Sequence, residues 1–167
     1  MKKYSKNKLV PDIIIDFDEW EKHSGIYSVI EKATEQTLIY INNTRYDELS
    51  ILLTSNKNIA ALNKKFRNIN KATNVLSFKS EKPHLGDIVL SYEYISAELV
   101  QQSKNLDEHL SHLIIHGILH LLDFDHDNDT TASEMEKIEI NIMSNLGYKN
   151  PYSVSYTHLR AHETDYY

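Results

Sequence analysis

A chain of 167 residues with 41% hydrophobic and 25% charged residues is long enough to bury a core and too apolar to stay an open coil. It has no cysteine, which excludes a disulfide framework and any thiolate metal site, so only His, Asp and Glu are left to hold a metal. The formal net charge of −6 argues against wholesale nucleic-acid binding, and no apolar run approaches the length of a membrane span.

The first residues are basic and then turn apolar, but Pro11, Asp12, Asp16 and Asp18 interrupt the stretch before it reaches the length of a secretory leader. A soluble, cytoplasmic protein is expected. "LVPDIIIDF" reads as a first strand, rich in β-branched residues and bounded by Pro11 and acids. From Glu19 to about Tyr40 the spacing of Ile26, Val29, Ile30 and Ala33 predicts a helix. "DELSILLTS" is a second strand, and "NKNIAALNKKFRN" a short helix with Ile59, Leu62 and Phe66 on one side. "TNVLSF" and "GDIVLSY" are two further strands, and three helical patterns come after them: Glu93 to about Ser103, Asp107 to Leu122, and Thr131 to Leu146. In the last, Thr130 or Thr131 is the expected cap, Met135, Ile138, Ile142 and Leu146 form the stripe, and Gly147 is the left-handed stop. These patterns predict a single α+β (mixed α/β) domain with about four strands in a small mixed sheet and about five helices.

The charge is uneven. Between Lys57 and Lys82 stand seven basic residues and one acid, Glu81, so this segment is +6 and the remainder −12. It is either a solvated face or an edge that meets a polyanion.

"HGILHLLDFDH" carries the sharpest signal. Nearly every position from Leu110 to Leu122 is apolar or His, the mark of a core helix. His116 and His120 are four apart, so both rings leave one face, the spacing by which a helix offers two imidazoles to one ion. His126 would lie ~15 Å further along a continuous helix, so the chain must turn back after Leu122 for the three to meet. "DFDHDND" is suited to that turn, since Asp tolerates the left-handed conformation. Three nitrogen ligands with an open position describe a catalytic metal site at the C-terminal end of the helix. His109 and His112 are read as surface residues or supports for the ligands, because His112 and His120 stand ~12 Å apart along the axis. Metzincin proteases share the H-x3-H-x5-H spacing, but their general-base Glu position is Gly117 here. Asp125, Asp127 and Asp129 are equally a solvated loop or helix cap, and no carboxylate stands out as a base.

The segment resembles the signature H-G-x-L-H-L-x-G-Y-D-H of the YbeY family, endoribonucleases and ribosomal-RNA maturation factors. It matches at His116, Gly117, Leu119, His120, Leu121, Asp125 and His126, and departs at Asp123 for Gly and Phe124 for Tyr. "LNKKFRNINKATNVLSF", "LGDIVLS" and "EMEKIEINIMSNLGYKNPY" resemble further blocks of that family, in order from about Leu9 to Tyr152. The resemblance implies zinc, or a similar divalent ion such as nickel, copper or iron, one per chain on His116, His120 and His126. It also implies a functional arginine at Arg67, with His116, His120, His126 and Arg67 as the catalytic set. The activity it implies is that of a metal-dependent, single-strand endoribonuclease of ribosomal-RNA processing. RNA, and the ribosome or its proteins, are the implied partners, with neither membrane nor DNA expected. The rival readings are an RNA- or ribosome-binding assembly factor with a structural metal, and a peptide hydrolase, which Gly117 disfavours.

Beyond Tyr152 the pattern stops. "VSYTHLRAHET" resembles the translation of a sequencing-library adapter, so residues 153–167, including His158 and His162, are expected to be a non-native, poorly packed tail on a domain spanning 1–152.

Overall fold

The structure, a computed structural model, describes residues 8–153; the expectations for His158, His162 and the rest of the tail from residue 154 onward lie outside the described residues. Four strands form one sheet: β1 (Asp12–Ile15), β2 (Glu48–Thr54), β3 (Val75–Lys79) and β4 (His84–Ser91). Their order is β1-β2-β4-β3, with β1, β2 and β4 parallel and β3 antiparallel to β4 at one edge. Five α-helices accompany them: α1 (Ile26–Tyr40), α2 (Asn56–Arg67), α3 (Tyr92–Gln102), α4 (Leu106–Leu121) and α5 (Asp129–Asn145). The mixed α/β domain with four strands and five helices is as expected.

The alternation of side chains along a strand explains the layers. Ile51 and Leu53 of β2, Ile88 and Leu90 of β4, and Val75 of β3 join the large core with α1, α4 and α5. Their neighbours Leu52, Val89, Leu76 and Phe78 face the other way, onto a smaller cluster closed by Ile59 and Leu62 of α2. The sheet therefore has α4 on one face and α2 on the other, and β3, as the edge strand, runs between the two helices.

Two boundaries differ from the sequence reading. The helix expected from Glu19 is broken: Asp18–Lys22 is a 3₁₀ turn, and α1 starts only at Ile26, after Gly25 at φ +80°. The cause is tertiary, since fully buried Trp20 donates its indole N–H to the Thr54 carbonyl (2.9 Å) and holds this turn at the end of β2. The cap of α5 is Asn128 rather than a threonine; its side chain accepts from the Thr131 N–H, while Thr131 Oγ1 accepts from the Asn128 N–H. Gly147 does take the left-handed stop, at φ +87°.

Candidate metal centre

The centre is built on α4, which is buried along almost its whole length; Leu110, Ile114, Ile115, Ile118 and Leu119 have no exposed surface. Asn105 caps its start, accepting from the Glu108 N–H at 2.8 Å. The close packing of α4 on the sheet depends on Gly117, where an added Cβ would sit 3.1 Å from both Ile88 Cδ1 and Ser77 Oγ. Any side chain there would press on both atoms and need them to give by a few tenths of an ångström, and with Gly117 in place the chain lacks the general base of a peptidase at this position.

The end of α4 is a Schellman motif. The Phe124 N–H donates to the Leu119 carbonyl and the Asp123 N–H to the His120 carbonyl, both at 3.0 Å, with Asp123 at φ +70° in the place usually taken by glycine. Phe124 then packs against the main core, and Asn128 begins the next helix. His126 is thus held in a short loop between two helix ends, and the chain turns back as its spacing required. Asp125 and Asp127 are exposed within this loop, where the Asp127 N–H donates to Asp125 Oδ1 (3.4 Å), and Asp129 opens α5.

The three histidines converge. One ring nitrogen from each of His116, His120 and His126 lies within 4.8 Å of the others. Nε2 of His116 and Nε2 of His120 are 2.9 Å apart, and the ring centroids of His116 and His126 are 5.8 Å apart. His120 has its pKa pushed down to about 2, first by burial and then by His116 and His126, so its ring is neutral at physiological pH, the form in which it could bind a metal. His126 is shifted down too, by burial and then by His116. Three imidazole rings facing one point suit a divalent ion, and the donor set fits the zinc group implied by the resemblance.

Behind them lies a residue that sequence reasoning missed. Glu139 of α5 is fully buried and accepts a hydrogen bond from His116 Nδ1–H at 2.7 Å, one from His112 Nε2–H at 2.6 Å, and one from the Tyr152 hydroxyl. Burial acts to raise its pKa, but the pull of His116 and His112 and the hydrogen bonds they donate hold it well below the usual carboxylate range. Holding the His116 proton on Nδ1 turns the lone pair of Nε2 toward the site. His112, expected as a surface or supporting residue, is a support, 1% exposed; His109 is also buried but belongs to a separate cluster with Glu98. The available signal for Glu139 was an acid four residues after Met135 and three before Ile142, on the apolar face of α5.

Arg67 closes α2, whose chain leaves the helix through Asn68 at φ +58°. Its Nη2–H donates to the Ser77 carbonyl of β3 at 2.9 Å. Arg67, Val75, Ser77, Lys79, His116, His120 and Leu121 line one cleft of about 150 Å³. The arginine expected from the sequence therefore opens onto the histidine cluster. Lys79 adds a second cation there, ion-paired with Asp123 at the end of α4. A concave site with nitrogen ligands on one wall and two cations on the other is suited to an anionic ester.

A family model described as Endoribonuclease YbeY matches residues 13–147. The chain is 40% identical to the Endoribonuclease YbeY of Bartonella bacilliformis, over 85% of this chain and 96% of that protein. The solution structure of TM1509 from Thermotoga maritima shares the fold, with a TM-score of 0.54 at 20% identity, over 81% of this chain and 91% of that one. With the match running from β1 to the stop of α5 and enclosing all three histidines, Glu139 and Arg67, the chain belongs to the YbeY endoribonuclease family.

Proposed function

We propose that this protein is a zinc-dependent endoribonuclease that cuts single-stranded RNA during ribosomal-RNA maturation, with His116, His120, His126 and Arg67 as its catalytic set. The observation that supports this reading is the shared cleft: His116 and His120 of α4 and Arg67 of α2 come from elements on opposite faces of the sheet, and they line one cleft at the β3 edge. Family membership supports RNA as the substrate class.

His116, His120 and His126 would hold one ion, which supplies Lewis acidity at the scissile phosphate. Glu139 keeps His116 in the ligating tautomer. The Arg67 guanidinium, steadied by the Ser77 carbonyl, presents its positive charge to a phosphate oxygen and stabilises the charge that builds there. Lys79 adds positive potential at the mouth, in exchange for its contact with Asp123. The metal-holding unit runs through Tyr152, which is 7% exposed and bonded to Glu139, and residues from 153 onward play no part in the activity. A cytoplasmic enzyme that meets the ribosome fits this substrate; among the described residues no helix is long and apolar enough to cross a membrane.

Incubating metal-analysed protein with ribosomal RNA, with and without chelator, tests the proposal. Cleavage that stops with chelator and returns with zinc is expected. RNA binding without cleavage at full metal loading would leave an assembly factor with a structural metal instead.

A further inference from the structure

We propose that Phe66 and Phe78 form a stacking platform for an unpaired nucleobase next to the phosphate held at Arg67. This deepens the endoribonuclease reading and rests on it. Phe66 stands in the last turn of α2 among Lys64, Lys65 and Arg67, and the residue is 59% exposed. The apolar demand of α2 is already met by Ile59, fully buried, and by Leu62, so Phe66 is not needed to close the small core. Its ring instead leans on Phe78, with centroids 5.3 Å apart and planes at 59°.

Position ties this pair to the cleft. Ser77 and Phe78 are consecutive in the edge strand β3, so they face opposite sides of the sheet: Ser77 donates to the Gly117 carbonyl of α4 (3.4 Å), while Phe78 joins the α2 cluster. Arg67 bridges the two sides. Its Nη2 bonds the Ser77 carbonyl, and its Cζ lies 5.5 Å from the centre of the Phe78 ring. A strand whose phosphate is held at Arg67 therefore passes over the β3 edge with its neighbouring base above the aromatic pair.

Charge selects the occupant. Lys65 Nζ sits 5.1 Å from the Phe66 ring centre, so each ring has a cation beside it, within a segment of seven basic residues and one acid. A base stacks on the ring while its phosphate meets the cation, which is how proteins hold single strands without reading sequence. The same arrangement favours unpaired over paired RNA, because a base in a duplex offers no free face.

The test compares two uncleaved 2′-O-methylated oligonucleotides of about ten nucleotides, one bearing bases and one abasic, binding to the metal-loaded full chain. The wild type is expected to bind the first roughly tenfold more tightly, Phe66→Leu to lose most of that difference, and Phe66→Tyr to keep it. Affinity for the abasic strand should be equal in all three. If Phe66→Leu discriminates as strongly as the wild type, or the wild type does not discriminate, the platform is wrong while RNA binding stands. If the wild type binds neither strand, the endoribonuclease reading falls with it.

Discussion

Helix α4 carries two buried histidine–carboxylate clusters, and they do opposite things. Near its start, His109 Nε2–H donates to Glu98 of α3 at 3.1 Å, and the Asn74 amide donates to both oxygens of the same carboxylate at 3.0 and 3.2 Å. Asn74 Oδ1 in turn accepts from the Val75 N–H, so this cluster pins the start of β3 against two helices. Near its end, Glu139 accepts hydrogen bonds from His116, His112 and Tyr152, but His116 keeps a nitrogen turned toward His120 and the cleft. Burial and a carboxylate partner are common to both. What separates a proposed ligand from a structural histidine here is a second nitrogen aimed at other donors and at an opening.

That contrast can be broken by substitution. His116→Ala and His120→Ala should each abolish stoichiometric metal binding, since each removes one of three ligands, while His109→Ala should leave one ion per chain. The His109 change instead removes a hydrogen bond from a buried carboxylate, costing about 1–3 kcal/mol and lowering the melting temperature by several degrees. If His109→Ala lost the metal and His116→Ala kept it, the division of labour would be reversed.

Glu139→Gln should weaken metal affinity about ten- to a hundredfold, because an amide cannot accept from three donors at once. Competition with a zinc-sensitive dye reads this directly; an unchanged affinity would make Glu139 a purely structural acid. Arg67→Ala should slow RNA cleavage roughly ten- to a hundredfold, the loss of about 1.5–3 kcal/mol from a charge-assisted hydrogen bond to phosphate, with metal content unchanged. Arg67→Lys should restore only part of the rate, since a point charge lacks the two-pronged donor. Wild-type cleavage by the Ala variant would remove Arg67 from the reaction. The smallest effect expected is from ending the chain after Tyr152: folding, metal content and activity should not change, and a large fall in melting temperature would reveal a structural role for the tail.

Local patterns were readable from the chain alone where they coincide with what tertiary packing demands. The i, i+4 histidines, the turn-back before His126 and the basic run around Arg67 all come from helix geometry, turn chemistry and charge. Two features depended on packing between distant segments. The start of α1 is displaced by the anchoring of Trp20 on β2, 34 residues away. Glu139 lies 23 residues from His116, and only the crossing of α4 by α5 shows that its carboxylate faces the ligand. Asp123 stands between these cases: its left-handed conformation was foreseeable, whereas its ion pair with Lys79, 44 residues back, required the fold.

Every role proposed for the cleft depends on the loop after α4 returning His126 to complete a three-histidine metal site. Elemental analysis of purified wild type and His126→Ala, alongside circular dichroism, tests it most directly. One zinc per wild-type chain, and its loss in the variant with helix content intact, is the predicted result. A variant that retains full metal would contradict the three-histidine site.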